Sequence, residues 1–309
     1  MASIFHYTNA EGLKGILSSK TLFATDCRFL NDTSEVGVIR NLVLPVLETE
    51  IAEMIPKLVE RQLVRWFYEF HGERGNRLQA EGFFETLIKL MNNISPLFVL
   101  SFCRHDEGSK EFEHGLLSQW RGYADAGGYA IEFDEAGMDK LWKAEQTKFA
   151  YKGCKADDVL YEKYEQLFVV DDFKGIAGEM IRRIFESRDV SGITGRKDID
   201  AFMPTFMSTA PFLKHWGFCE GREYRILFSC FQKDKIPAAE TRLAKETQFR
   251  TRNGQIVPYI KVLGPGLPIK SIIVGPHPSQ ELQCEAVKLM LKTEGIDATI
   301  RVSEIPYRR

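Results

Sequence analysis

Segments with the pattern of β-strands stand at both ends of this 309-residue chain, separated by long helical stretches. Apolar residues at three- and four-residue spacing indicate helices over about 34–95 and 155–210. Strand-like runs lie at 4–7, 21–25, 97–103, 129–133, 223–231, 248–262 (a hairpin that turns at Asn253-Gly254), 271–275 and 298–302, and an amphipathic helix at 279–294. We therefore predict one α+β domain over 1–309, with a sheet built from both ends of the chain and two helical insertions.

Composition argues against several classes of protein. Lys and Arg number 41 against 43 Asp and Glu, so a net charge of −2 leaves no overall positive field for nucleic acid. The six cysteines form no CxxC pair, which favours free thiols in a reducing cytoplasm. No apolar run nears the length of a membrane span and no charged-then-apolar leader opens the chain, so we expect a cytoplasmic protein without membrane insertion.

The common signatures of nucleotide and metal sites are absent from the sequence. No GxGxxG follows a strand, and neither GxxxxGK[ST] nor HExxH occurs. His105 and His114 lie near acidic residues, at a spacing that matches no common metal site, and we expect both at the surface. The sequence therefore predicts no metal centre.

Several polar residues stand at the edges of apolar runs, and each has a structural interpretation beside a functional one. His6 lies within the first strand-like run and could be a hydrogen-bonded core histidine. Thr8 with Glu11 matches a capping box that would begin the first helix. Ser101 could be a small strand residue and Trp120 a core aromatic.

Glu223 begins the strand-like run EYRILFSCF. Alternation along a strand would place Glu223, Arg225 and Leu227 on one side. Glu223 could project into a cleft, or it could pair with Arg222 or Arg225 at the surface, as single charge clusters usually do. Composition alone favours the surface pair.

Taken together, these stretches resemble a bacterial domain family of unknown function that is regarded as a divergent relative of the ADP-ribosyltransferases. The resemblance rests on HYT near the N-terminus, AEGLKGIL, FATDCRFLND, LSF, LSQWRGYAD, GYAIEFD, the EGREYR strand and a terminal SEIPYR. It covers most of the chain outside the two helical insertions. It implies a split β-sheet whose cleft holds NAD as a substrate, without a metal.

The resemblance also implies roles for individual residues. Glu223 and His6 would be the catalytic residues, in the family order His6, Ser101, Glu223. The NAD-binding positions would be His6, Tyr7, Thr8, Arg28, Asn31, Ser101, Trp120, Tyr123 and Tyr129, with Arg28 and Asn31 near the phosphates or second ribose and Tyr123 or Tyr129 stacking on the nicotinamide ring. The sequence departs from the common Glu-x-Glu pair, because Gly221 stands two residues before Glu223 and the other acid is Glu220.

Three functions remain open from the sequence. The first is an ADP-ribosyltransferase, as a bacterial toxin or anti-phage effector that modifies RNA, DNA or protein and is restrained by an antitoxin partner. The second is an NAD glycohydrolase, with water as the acceptor. The third is a non-catalytic nucleotide- or nucleic-acid-binding module. The basic run at 242–255, with Phe249 among four cationic side chains, could meet phosphate and stack a base, or be an ordinary exposed charged hairpin.

Overall fold

The computed structural model describes residues 2–30, 34–60, 74–94, 96–123, 128–161, 206–231, 236–252 and 254–306. The chain divides into two compact units, the first formed by 1–30, 97–159 and 218–309, and the second by 31–96 and 160–217. The strands of the first unit are β1 (Ala2–Thr8), β2 (Leu22–Asp26), β3 (Leu97–Asp106), β4 (Tyr129–Phe133), β5 (Phe149–Asp158), β6 (Glu223–Cys230), β7 (Leu243–Ala244), β8 (Gln248–Arg252), β9 (Gln255–Val262), β10 (Ile269–Val274) and β11 (Thr299–Val302). Its helices are α1 (Ala10–Ser19), α4 (Lys110–His114), α5 (Leu117–Tyr123), α6 (Glu135–Lys148) and α7 (Gln280–Glu294), and the second unit holds α2 (Ser34–Glu60) and α3 (Arg74–Ile94).

The eleven described strands form one mixed sheet, which agrees with the predicted α+β class. Eight of them run in the order β11-β10-β4-β1-β3-β2-β9-β8, while β6 pairs with β3 and β5, and β7 pairs with β5. The pairs β10–β11 and β5–β7 are parallel, and the other described pairs are antiparallel. Strands from both ends of the sequence therefore meet in the middle of the sheet, as predicted.

Apolar side chains cover both faces of the sheet. On one face, Ile4, Phe102 and Ile131 belong to a core that α1, α6 and α7 close with residues such as Leu17, Met138, Val287 and Leu291. On the other face, Phe5, Tyr7 and Cys103 form a second cluster with Leu116 and Trp120. Burial on both faces explains why the central strands have continuous apolar runs.

In the second unit, α2 packs against α3. Leu47 and Ile51 of α2 and Phe84 and Leu87 of α3 are buried. The unit is assembled from ranges close to the two predicted helical insertions, although residues 61–73 and 162–205 of those insertions lie outside the described part of the chain.

Three local predictions are wrong. Residues 155–158 end strand β5 instead of starting a helix, because β5 pairs along its length with β6. The cap of α1 is Asn9, whose side chain accepts from the Gly12 amide, so Thr8 and Glu11 do not form the predicted capping box. His105 is buried instead of exposed, since its Nε2 lies 2.8 Å from the Tyr7 hydroxyl.

None of the described helices combines the length and the apolarity that crossing a bilayer requires. The six cysteines all lie among the described residues and are free thiols.

Candidate functional site

One edge of strand β3 pairs with β1 along one part and with β2 along another, and this creates a fork in the sheet. Residues 103–106 of β3 pair with β1, and Phe98 and Val99 pair with β2. The opposite edge of β3 pairs continuously with β6 from Leu97 to Cys103. Between the two partners on the shared edge lies the segment 100–102, which includes Ser101. The strands β1 and β2 therefore separate at Ser101.

The side chain of His6 lies in this fork. Its Nδ1 is 2.9 Å from the Ser101 carbonyl oxygen, and its ring packs 5.9 Å from that of Phe102. A carbonyl oxygen only accepts, so Nδ1 carries the proton and Nε2 is an acceptor in the neutral ring. Burial lowers the pKa of His6, the bond to Ser101 partly opposes this, and the charge of Arg250 lowers it further. His6 is therefore neutral at pH 7.

Glu223 forms a buried ion pair with Arg225. Both Nε and Nη2 of Arg225 reach Oε2 of Glu223, at 2.9 and 2.8 Å. Glu223 is 5 % exposed and Arg225 2 %. The predicted alternation of Glu223, Arg225 and Leu227 thus holds, and the predicted pairing with Arg225 forms in the interior instead of at the surface.

Strand register relates these groups to one another. Ser101 is paired with Arg225 and Cys103 with Glu223, so Ser101 shares the face of the ion pair. Cys103 also packs with Phe5 and Tyr7, the neighbours of His6 in the chain, so alternation turns His6 toward the other face. Ser101 connects His6 with the Glu223–Arg225 ion pair, because its carbonyl binds His6 and its side chain lies beside Arg225.

The loop after β2 holds Arg28, whose charge is neutralised within the loop. Arg28 donates through Nε and Nη2 to Asp26, at 2.9 and 2.6 Å, and Asp26 is buried. The hydrogen bonds to Asp26 raise the pKa of Arg28. Asn31, the other residue expected near the phosphates, lies outside the described residues.

The aromatic residues of the implied NAD site are placed mainly in cores. The Tyr7 hydroxyl accepts from the Leu116 amide and bonds His105, and its ring packs 4.8 Å from Trp120. Trp120 is buried and donates from its indole nitrogen to the His114 carbonyl. Tyr129 is buried and donates to Gln283. The polar atoms of these three side chains are thus engaged inside the protein.

Two further members of the implied site differ in exposure. Tyr123 is an exposed residue at the end of α5. Thr8 is half-buried at the end of β1, and its hydroxyl lies so close to Gly12 that a Cβ there would be 1.9 Å from Oγ1. Thr8 therefore packs against the first turn of α1.

Arg250 on β8 has contacts that the sequence does not predict. Its Nη2 donates to the Thr25 hydroxyl at 2.8 Å, and it lies beside the rings of Phe23 and Tyr259, which pack on each other with their centres 5.0 Å apart. The basic run at 242–255 gave the only signal for it. Phe249, the aromatic residue of that run, is exposed.

Comparison with known families gives a match over part of the chain. Residues 119–226 match the model of a family described as protein of unknown function (DUF2971). The matched range includes Glu223 and Arg225 and excludes His6 and Ser101, and the match gives no link to the ADP-ribosyltransferases. Searches of curated proteins and of solved structures found no match.

Proposed function

We propose that this chain cleaves NAD and transfers ADP-ribose to a nucleic acid or protein acceptor. The observation that carries the proposal is the fork at Ser101. The strands of His6, Ser101 and Glu223 are the neighbours β1, β3 and β6, and β1 and β2 part where His6 binds the Ser101 carbonyl. A split in a sheet opens a cleft in which a dinucleotide can reach polar groups of the backbone and of several strands at once.

The proposed chemistry breaks the bond between the ribose C1′ and the nicotinamide nitrogen. Nicotinamide leaves with the bonding electron pair, and positive charge develops on the ribose. The Glu223 carboxylate would stabilise that charge through the ribose 2′-hydroxyl. The acceptor then bonds C1′ and loses a proton. Neutral His6 is turned to the other face of the sheet, so it would act by positioning β3 through the Ser101 carbonyl and not by binding the same ribose as Glu223.

The buried ion pair supports an alternative in which the fold binds a ligand without catalysis. Arg225 holds the Glu223 carboxylate, and both side chains are almost fully buried. Catalysis requires the residues that cover Glu223 to move when NAD binds. A non-catalytic module requires no such movement.

The test is incubation of the purified protein with NAD labelled in its adenylate portion, separately with RNA, single-stranded DNA and cell lysate. Glu223→Gln is the test variant. Glu220→Gln is the matched control, because Glu220 is an exposed acid three positions earlier. We expect label on one acceptor, a loss of about 10²- to 10³-fold in Glu223→Gln, and an unchanged rate in Glu220→Gln.

The other outcomes separate the alternatives. Release of nicotinamide without a labelled acceptor would identify a glycohydrolase. No nicotinamide release in any mixture would leave the binding module. As a further part of the proposal, a toxin or anti-phage effector should arrest growth when the unaltered chain is expressed in bacteria, while Glu223→Gln should not.

A further inference from the structure

The guanidinium of Arg250 is only partly satisfied by the described protein. Nη2 donates to the Thr25 hydroxyl at 2.8 Å. Nε is buried and has no hydrogen-bond partner among the described residues. A buried donor that is left without a partner costs free energy, and a charged one costs more. Such a group is more stable when a ligand accepts from it.

No carboxylate of the described residues forms an ion pair with Arg250. Other arginines of the same unit are paired, as Arg28 is with Asp26, Arg225 with Glu223 and Arg242 with Glu240. Glu11 influences Arg250 only at longer range, and burial together with the charge of Arg252 lowers the pKa of Arg250. The positive charge of Arg250 therefore remains available to an external anion.

Two aromatic rings that pack on each other lie beside this guanidinium. Its central carbon lies 6.0 Å from the ring centre of Phe23 and 5.6 Å from that of Tyr259, and the Tyr259 hydroxyl is fixed by Gln248. Aromatic faces stabilise a cation without using its N–H groups. The Thr25 hydroxyl accepts from Arg250 and so retains its own proton to donate.

Arg250 and Thr25 lie next to the fork at Ser101. Thr25 is paired with Val99 of β3, two residues from Ser101. The charge of Arg250 is close enough to His6 to lower the pKa of its imidazole. An anion held by Arg250 and Thr25 would therefore lie beside the fork that His6 occupies.

We propose that Arg250 and Thr25 form an anion site for the pyrophosphate group of a nucleotide. That the nucleotide is NAD rests on the proposed function; that the site binds pyrophosphate does not. Arg28, the residue that the family resemblance implies for this role, already has its charge neutralised by Asp26. A phosphate of a nucleic-acid backbone is disfavoured, since extended strands need rows of exposed cations and Arg250 is a half-buried cation beside two packed rings.

The experiment is calorimetric titration of the full chain with inorganic pyrophosphate. We expect binding that weakens about tenfold or more in Arg250→Gln and partly recovers in Arg250→Lys, which keeps the charge and loses the planar fork. Arg77→Gln is the control, because it removes one charge from an exposed arginine paired with Glu48 and Glu81. Circular dichroism checks that each variant is folded, and Arg250→Lys serves as the test if Arg250→Gln is not.

The possible results distinguish the anion site from the proposed enzyme. The proposal is overturned if pyrophosphate does not bind the unaltered chain, or if it binds the unaltered chain and the Arg250 variants equally. It is also overturned if the chain binds single-stranded RNA but not pyrophosphate. Pyrophosphate binding through Arg250 without nicotinamide release would keep the anion site and remove the enzyme. Nicotinamide release with the same KM for NAD in Arg250→Gln would keep the enzyme and remove the anion site.

Discussion

The ion pair between Glu223 and Arg225 allows a sharp test of what holds the centre of the sheet together. The two side chains are 5 % and 2 % exposed, and two short contacts join them. Removing one partner takes from the other buried charge the ion pair that compensates it, which costs about 3–5 kcal/mol. Glu223→Gln keeps the shape of the side chain and removes its charge, and Arg225→Met keeps an apolar stem. Each variant should therefore lose at least about 3 kcal/mol of unfolding free energy.

The double variant should lose much less than the sum of the two single losses. With both charges removed, no uncompensated ion remains, and replacing a buried pair with uncharged residues is often nearly neutral. If each single variant loses about 3 kcal/mol and the double about as much as one of them, the coupling energy is about 3 kcal/mol.

Urea unfolding of the four proteins, followed by circular dichroism and by tryptophan fluorescence, measures this cycle. Additive losses would refute the reasoning, because they would mean that each side chain is held by other neighbours. The cycle also sets the conditions for the NAD assay, which must be run where Glu223→Gln is still folded.

Two further predictions concern residues that surround Tyr7 in the fold. Burial lowers the pKa of His105 to about 4, while the unfolded chain binds that proton near pH 6.5, so stability is complete above pH 6.5 and falls as pH drops, by about 3 kcal/mol at pH 4. Urea unfolding at pH 7.5 and 4.5 should show a smaller loss in His105→Gln than in the unaltered chain, and equal losses would contradict this. Gly115 has a φ of +74°, and an added Cβ would lie 2.3 Å from the Trp120 ring, whereas Gly108, with a φ of +82°, has open space. Gly115→Ala should therefore lower the Tm well beyond Gly108→Ala, since at Gly115 the contact with Trp120 and a ψ of 178° add to the positive φ that the two glycines share; equal Tm values would contradict this.

Much of the sheet can be predicted from sequence because its central strands are buried on both faces and so have continuous apolar runs, as in LFVLSFC and YAIEF. Strand β5 is different. Its sequence, FAYKGCKADD, has few apolar residues, and its pairing with β6 depends on a segment more than sixty residues later. Helix α5 is missed because its seven residues are too few for a periodic pattern, and the packing of Trp120 on Tyr7 of β1 depends on a distant part of the chain.

The candidate site divides in the same way. The pairing of Glu223 with Arg225 follows from alternation along one strand, so the sequence indicates it, but burial of the pair depends on the rest of the fold. The bond from Arg250 to Thr25 joins residues 225 positions apart. No local pattern predicts it, because it depends on the pairing of β8 with β9 and of β9 with β2.

His6 has a structural role whatever the function of the protein is. Where β1 and β2 separate, the Ser101 carbonyl gains its hydrogen bond from the imidazole. A buried carbonyl without a donor costs about 1–3 kcal/mol, so His6→Ala should destabilise the fork even in a protein that never binds NAD. Loss of activity in that variant would therefore not distinguish positioning of a substrate from support of the sheet. Glu223→Gln against Glu220→Gln does distinguish them once folding has been verified, because the carboxylate is the group that the chemistry itself requires.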